Sequence, residues 1–305
     1  MSYFDLQING YAGVDFCSLD LTADEMRRAC EALKADGIEG ILATIITDSV
    51  EALCAKLRGM VRYREMDPVI GAMVKGFHVE GPFLNAEPGY IGAHPAHCVV
   101  PANRDDAARL LEAGGGLVRL VTLAPENDPG AATTRYLVEQ GVTVSGGHCD
   151  PDLATLERAI DAGLSMITHL GNGCPVILPR HDNFIQRVLS LSDRLWICFI
   201  PDGAHVPFFA LRNYFKITGL ERTIFTSDAI MAAGLGPGIY DLSGAPVEVD
   251  AEGVARRPGS PNLAGSTIRG HQVAAKLREH LGLSEAEIDR VYRQNPLAAL
   301  GLAAE

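Results

Sequence analysis

Residues 142–169, VTVSGGHCDPDLATLERAIDAGLSMITH, contain one complete strand–helix–strand unit. A β-branched run opens the stretch, and Asp150-Pro151-Asp152 predicts the start of a helix over residues 153–162, with the proline in its first turn. Gly163 is expected to end that helix, and a second apolar run follows at 166–168. The histidines His148 and His169 stand just after the two runs. This stretch therefore predicts parallel strands covered by a helix, with an imidazole where each strand ends.

The same alternation of short apolar runs and longer amphipathic stretches continues along the whole chain. It predicts eight strands, at residues 3–8, 40–46, 74–79, 117–123, 142–145, 166–168, 196–200 and 223–226. Their number and order favour a single (β/α)8 TIM barrel, an α/β fold of the metal-dependent amidohydrolase type, over an open sheet. Capping boxes at Thr22 and Ser284 predict two further helix starts. The Gly- and Pro-rich segment 234–261 is interpreted as a long functional loop, such as a lid, or as structure that the pattern does not reveal.

Composition limits the classes of function. The chain has 305 residues, 47% of them hydrophobic, and a formal net charge of −12, so we expect neither a nucleic-acid partner nor an anionic membrane partner. We find no signal peptide and no run of about 18 apolar residues. Seven scattered cysteines without a CxxC pair disfavour a disulfide framework and a thiolate metal site. We therefore expect one catalytic domain over residues 1–305 in the cytoplasm.

Polar side chains stand at the ends of several predicted strands. In a TIM barrel the functional residues lie at these carboxyl ends. A carboxylate and two imidazoles from three strands, with a further aspartate at the same mouth, are the ligands of a Zn²⁺-like cation that keeps an open water position. The strand-end residues are Gln7 and Asn9 for the first strand, Glu80 for the third, His148 for the fifth, His169 for the sixth and Asp228 for the eighth.

Nine short motifs, in order, resemble those of the N-acetylglucosamine-6-phosphate deacetylase family of the amidohydrolase superfamily. Each motif is weak alone, and their order along nearly the whole chain makes the resemblance specific. They are Asp5-Leu6-Gln7-Ile8-Asn9-Gly10, His78-Val79-Glu80-Gly81-Pro82-Phe83, Gly92-Ala93-His94, Leu123-Ala124-Pro125-Glu126, Gly147-His148, Thr168-His169-Leu170, Asp202-Gly203-Ala204-His205-Val206, Ser227-Asp228-Ala229 and Leu263-Ala264-Gly265-Ser266.

The resemblance implies a role for each matched residue at the reacting centre. Glu80, His148 and His169 correspond to the ligands of one divalent metal, with Zn²⁺ as the first expectation and Fe²⁺, Mn²⁺ or Co²⁺ as alternatives. Asp228 corresponds to the general acid/base, and His94 to the residue that polarises the acetyl carbonyl. Gln7 and Asn9 occupy the place of a His-x-His pair, and whether they touch the metal or only form hydrogen bonds stays open.

The same resemblance implies a binding site for a sugar phosphate. His205 corresponds to a residue that contacts the substrate, and Asn172 and Gly173 to positions that offer main-chain amides to the phosphate. Arg180 corresponds to an arginine that reaches in from a neighbouring subunit, so we expect a homodimer. The implied partner is a phosphorylated amino sugar.

Two features depart from the family pattern. Members carry a small β-sandwich domain, which we expect to be missing because the first strand begins almost at Met1 and the sequence ends soon after Asn295-Pro296. Gly171 and Cys174 replace a bulky aromatic residue and a methionine after His169, a change that is expected to open the pocket wall. Three hypotheses therefore remain: deacetylation of an N-acetylhexosamine 6-phosphate, another metal-dependent amide hydrolase or deaminase, and a non-catalytic sugar-phosphate-binding protein.

Overall fold

Eight parallel strands, paired in sequential order, form one sheet in the computed structural model, which describes residues 2–259 and 262–302. A parallel bridge from Ile8 to Ala229, beyond the eighth strand, joins the last strand to the first. The prediction of a (β/α)8 barrel is confirmed. The strands are β1 (Tyr3–Ile8), β2 (Ile38–Ile46), β3 (Val74–Glu80), β4 (Val118–Leu123), β5 (Thr143–Gly146), β6 (Met166–Ile167), β7 (Trp196–Phe199) and β8 (Thr223–Phe225).

Helices cover the outside of the barrel between successive strands. They are α1 (Ala23–Ala35), α2 (Val50–Met66), α3 (Pro68–Met73), α4 (Arg104–Ala113), α5 (Ala132–Glu139), α6 (Leu153–Asp161), α7 (Phe184–Leu189), α8 (Phe208–Arg222), α9 (Gly270–Lys276), α10 (Glu285–Asp289) and α11 (Asn295–Ala299). Short 3-10 turns cover Ala96–Cys98, Pro125–Asn127 and Pro129–Ala131, and π-helical turns cover Leu277–Leu281 and Arg290–Gln294. No described helix is long and apolar enough to cross a membrane.

The helix termini follow the local sequence signals with one exception. Both capping boxes form, at Thr22 before α1 and at Ser284 before α10. Gly163 follows the end of α6 with a φ of +106°, a conformation that glycine adopts without strain. The placement of Pro151 in the first turn of α6 was wrong. Asp152 is the N-cap, because its carboxylate accepts a hydrogen bond from the Thr155 amide, and so Pro151 lies outside the helix.

Apolar side chains fill two layers, one between sheet and helices and one inside the barrel. The inner cluster takes one or two residues from most strands, and Leu297 and Leu300 at the end of the chain pack beneath it. C-terminal residues thus close the amino-terminal end of the barrel, and the opposite end is left for polar groups. The inner cluster consists of Phe4, Leu6, Leu42, Leu120, Met166, Cys198, Ile224, Leu297 and Leu300.

The segment after β8 is more ordered than the prediction of a long loop allowed. It contains a three-stranded antiparallel sheet of β9 (Gly238–Leu242), β10 (Ala245–Val249) and β11 (Ala255–Arg256). Val247 and Val249 on one face of β10 are buried, so the strand alternates as a half-covered strand should. Of the two alternatives, a loop was therefore wrong for residues 238–256, and structure that the pattern does not reveal is confirmed there. Ser260 and Pro261 lie outside the described residues.

Candidate metal centre and active site

Four candidate residues stand at the carboxyl ends of the barrel strands, and the local backbone aims them inward. Glu80 is the last residue of β3, and His148, His169 and Asp228 follow β5, β6 and β8 within three residues. The φ angles are +50° for His148, +30° for His169 and +51° for Asp228. A positive φ is costly for a residue with a Cβ, and such strain concentrates at functional sites.

Glu80, His148 and His169 form a buried cluster with the dimensions of a metal site. Their ligand atoms all lie within 4.8 Å of one another. The Glu80 Oε1 atom is 2.9 Å from Nε2 of His169 and 3.4 Å from Nε2 of His148. Ligand atoms bound tetrahedrally to Zn²⁺ at about 2.0–2.1 Å would be about 3.3 Å apart. The three side chains therefore fit one divalent cation.

Neighbouring groups set the chemical form of two members of the cluster, His148 and Glu80. The carbonyl of Tyr90 lies 2.8 Å from Nδ1 of His148 and can only accept, so Nδ1 carries a proton and the neutral tautomer has its lone pair on Nε2. Burial by itself raises the pKa of Glu80, but the imidazoles of His148 and His169 outweigh it and hold that pKa well below its ordinary value. Glu80 is thus ionised, and Gln7 donates to its second oxygen at 3.2 Å.

Asp228 is a buried carboxylate whose position is fixed from two sides. The Asn9 amide donates to its Oδ1 at 2.6 Å, and the Ser266 N–H donates to its backbone carbonyl at 2.9 Å. Burial, and next the negative charge of Glu80, raise the pKa of Asp228 to about 7. Such a carboxylate exchanges protons readily near neutral pH, which suits a general acid/base.

His94 is neutral, and one ring nitrogen is held by Thr47. The Thr47 N–H donates to Nδ1 at 3.3 Å, and because an amide can only donate, the imidazole proton lies on Nε2. Nε2 is 3.9 Å from the Glu80 carboxylate. Burial, followed by the neighbouring His148, lowers the pKa of His94 to about 3. His94 is therefore a neutral N–H donor beside the metal cluster.

A chain of hydrogen bonds between hydroxyl groups and an imidazole lies beneath the metal cluster. His78 Nε2 lies 2.8 Å from the Thr122 hydroxyl, which lies 2.7 Å from that of Thr168. The Ser145 hydroxyl is 2.6 Å from Thr168 on the other side. Burial lowers the pKa of His78 to about 4, so it is a neutral supporting residue, as its place two residues before Glu80 on the strand suggests.

A cavity of about 530 Å³ opens over the metal cluster. Asp228, His94, His205, Asn172 and Gly173 all line it. The carboxylate of Asp202 lies 2.6 Å from Nδ1 of His205, which leaves Nε2 for a ligand.

Arg180 and Gly171 both lie in the segment after β6. Arg180 is exposed and is not among the residues that line the cavity. At Gly171 a Cβ atom would meet only Val206, at 3.5 Å, so the wall is open there as expected.

The sequence patterns missed several residues that hold the site together. Thr47 directly follows β2, and a polar residue at that strand end was a detectable signal. The carboxylate of Asp5 accepts from the Ser227 N–H at 2.9 Å and from the Tyr292 hydroxyl at 2.9 Å, next to Asp228. No pattern pointed to Tyr90, because its role depends on a contact with His148 from 58 residues away.

Solved structures share this fold over nearly the whole chain at 26–32% sequence identity. An N-acetyl-D-glucosamine-6-phosphate deacetylase mutant from Mycobacterium smegmatis, in complex with N-acetyl-D-glucosamine-6-phosphate, is 32% identical with a TM-score of 0.90; the match covers 99% of this chain and 78% of that one. The N-acetylglucosamine-6-phosphate deacetylase from Thermotoga maritima is 26% identical with a TM-score of 0.87, over 98% of this chain and 78% of that one. The fold and the buried Glu–His–His cluster are those of an amidohydrolase.

Curated relatives identify the family within that class. N-acetylglucosamine-6-phosphate deacetylase of Bacillus subtilis (strain 168) is 30% identical over 300 residues, which are 98% of this chain and 74% of the relative. The enzyme of the same name from Danio rerio is 32% identical over 316 residues, 99% of this chain and 75% of the relative. No family model matches the sequence. The chain belongs to the N-acetylglucosamine-6-phosphate deacetylase family of the amidohydrolase superfamily.

Proposed function

We propose that this protein removes the acetyl group from an N-acetylhexosamine 6-phosphate, with N-acetylglucosamine 6-phosphate as the first substrate to test. The observation that carries the proposal is the cluster of Glu80, His148 and His169, with Asp228 and His94 lining the same cavity. In the reaction, water adds to the acetyl carbonyl carbon and the C–N bond breaks. The products are acetate and the amino-sugar phosphate.

Glu80, His148 and His169 would hold the catalytic cation, for which Zn²⁺ is the first proposal. When bound, a divalent cation at this position lowers the pKa of water and polarises a carbonyl oxygen. A buried carboxylate and two imidazoles suit Zn²⁺, and they also accept Fe²⁺, Mn²⁺ or Co²⁺. The side-chain carbonyl oxygens of Gln7 and Asn9 are buried and have no hydrogen-bond partner among the described residues. They are acceptors that a substrate N–H or O–H can satisfy.

Asp228 is proposed to move the proton. Its carboxylate accepts a proton from the attacking water, and the resulting carboxylic acid then protonates the leaving nitrogen, because an amine leaves far more readily than an amide anion. The Nδ2 group of Asn9 donates to Asp228 and cannot accept, so it stabilises the carboxylate and holds it in one orientation. His94 is proposed to donate a hydrogen bond from its Nε2–H to the acetyl oxygen, where negative charge develops.

Phosphate recognition is proposed for the segment after β6 and for His205. A Cβ at Gly173 would lie 2.7 Å from Nδ1 of His148, so the main chain passes directly over that ring. The Asn172 N–H already donates to the carbonyl of His169 at 3.0 Å, so we propose the Gly173 N–H as the main-chain donor to the phosphate. The chain is acidic overall, so we propose that Arg180 of a second copy supplies positive charge to the phosphate in a homodimer. The exposed position of Arg180 is compatible with this arrangement.

The test is acetate release by the zinc-loaded protein. We expect turnover of N-acetylglucosamine 6-phosphate, loss of turnover with a chelator and recovery when Zn²⁺ is restored. N-acetylgalactosamine 6-phosphate belongs in the same series, because a relative of that specificity from Escherichia coli O157:H7 is 29% identical over 302 residues, 99% of this chain and 78% of the relative. Zinc-loaded protein that releases no acetate from either sugar phosphate would refute the proposal.

A further inference from the structure

Residues 85–93 lie across His148 and lead to His94. The Asn85 N–H donates to the carbonyl of His148 at 3.0 Å. The Nδ1–H of His148 donates to the carbonyl of Tyr90 at 2.8 Å. A Cβ at Gly92 would lie 3.1 Å from the ring atom Cε1 of His148. This one segment therefore touches a metal-site histidine at three points and ends at a second residue of the cavity.

Tyr90 also holds the segment to the barrel through its side chain. Its hydroxyl donates to Oδ2 of Asp150 at 2.7 Å. Arg187 of α7 donates to the other oxygen of Asp150 at 2.8 Å and to the carbonyl of Pro151 at 2.9 Å. Burial and the charge of Asp150 raise the pKa of Tyr90, so its hydroxyl stays protonated as a donor. We call the hydrogen bonds from Tyr90 and Arg187 to Asp150 the Tyr90 tether.

The surroundings of the tether leave the segment little freedom. Oε1 of Glu126 accepts from the side chain of Asn85 at 2.9 Å and from the backbone N–H of Asp150 at 2.6 Å, which links the start of the segment to the tether. On the far side, a Cβ at Gly89 would lie 2.8–3.0 Å from atoms of Pro175, so the segment packs closely against Pro175. The tether thus lies between the metal cluster and the proposed phosphate side.

We propose that Tyr90 is a positioning residue for the metal centre, acting through His148. Its hydroxyl fixes residues 85–93 on Asp150, and its carbonyl thereby keeps the proton of His148 on Nδ1 and the lone pair on Nε2, facing Glu80. Without the hydroxyl, the segment loses a charge-assisted hydrogen bond and the ring of His148 loses its fixed orientation. This inference rests on the proposed metal centre and does not depend on the identity of the substrate.

The test compares two variants that each delete one hydroxyl. Tyr90→Phe removes the bond to Asp150, and the control Tyr63→Phe removes a bond of 2.7 Å to the carbonyl of Leu21, away from the cavity. The measurement is the dissociation constant for Zn²⁺, by competition with a chromogenic chelator. Complete loss of the hydrogen bond that supports a metal ligand weakens binding by about 10- to 100-fold. Tyr90→Phe keeps the carbonyl that bonds His148 and only loosens its position, so we expect a rise of about tenfold for Tyr90→Phe and none for the control. Equal zinc affinity of Tyr90→Phe and the wild type would overturn the proposal.

A second measurement reports on the ring itself. In metal-free protein labelled with ¹⁵N-histidine, wild-type His148 should show the Nδ1–H tautomer, and Tyr90→Phe should show exchange between tautomers; an unchanged spectrum contradicts the tether. If Tyr90→Phe does not fold, Asp150→Asn weakens the same bonds and should raise the zinc dissociation constant in the same direction. Wild-type protein that binds zinc but releases no acetate refutes the proposed function and leaves the tether standing.

Discussion

Replacing Gly173 with alanine should weaken the metal site through a steric contact with His148. The added Cβ would lie 2.7 Å from Nδ1 and 3.0 Å from two further ring atoms, whereas ordinary contacts begin at 3.4 Å. The ring must shift by several tenths of an ångström, which disturbs the 2.8 Å hydrogen bond to Tyr90. Displacement of one ligand costs about 1.4–2.8 kcal/mol, and we therefore expect zinc binding about 10- to 100-fold weaker.

The matched control is Gly171→Ala, which separates the contact from the backbone strain. Gly171 has a φ of +94° and Gly173 a φ of +61°, so both substitutions place a Cβ in the left-handed region at a cost of about 1–2 kcal/mol. At Gly171, however, the new Cβ meets only Val206, at 3.5 Å. Both variants should lose thermal stability, and only Gly173→Ala should lose zinc affinity in a chelator competition. If the two variants bind zinc equally well, the proposed contact with His148 has no functional weight.

Three further predictions concern the reaction. Asp228→Asn should lower kcat by at least about 100-fold while the metal content, measured by elemental analysis, stays that of the wild type; near-normal turnover would remove Asp228 as the proton carrier. The active form of Asp228 is the carboxylate, so kcat/KM should rise as the pH increases through the pKa of Asp228, which is about 7 without a metal. A bound cation lowers this pKa, so the inflection of the pH–rate profile is expected at or below about pH 7. A pH–rate profile that falls over this range would contradict the assignment. Arg180→Ala should raise KM for the phosphorylated substrate far more than it lowers kcat, and should leave the turnover of unphosphorylated N-acetylglucosamine unchanged. An unchanged KM for the phosphorylated substrate would exclude Arg180 from the phosphate site.

Local sequence was sufficient for the barrel strands because each strand is a short apolar run between polar turns. β1 was predicted with its observed bounds, β3 is one residue longer than predicted, and β5 is shifted by one residue at both ends. The sheet after β8 was missed because β9 and β10 expose part of their residues, and the Gly- and Pro-rich surroundings resemble a loop. Pro151 was misplaced for a smaller reason, since either Asp150 or Asp152 could cap the helix and only the observed hydrogen bond distinguishes them.

The sequence by itself determined the strand order, the family and the strand-end residues Glu80, His148, His169 and Asp228, since each of these depends on a residue type at a fixed distance from a local pattern. Only the tertiary structure decided which atoms meet. The hydrogen bond from Thr47 to His94 joins residues 47 positions apart, and the bond from Asn9 to Asp228 joins residues 219 positions apart. The bond from Tyr90 to Asp150 spans 60 residues. Such contacts depend on how loops close over the barrel mouth, and a periodicity of two or of 3.6 residues carries no information about the distance between loops.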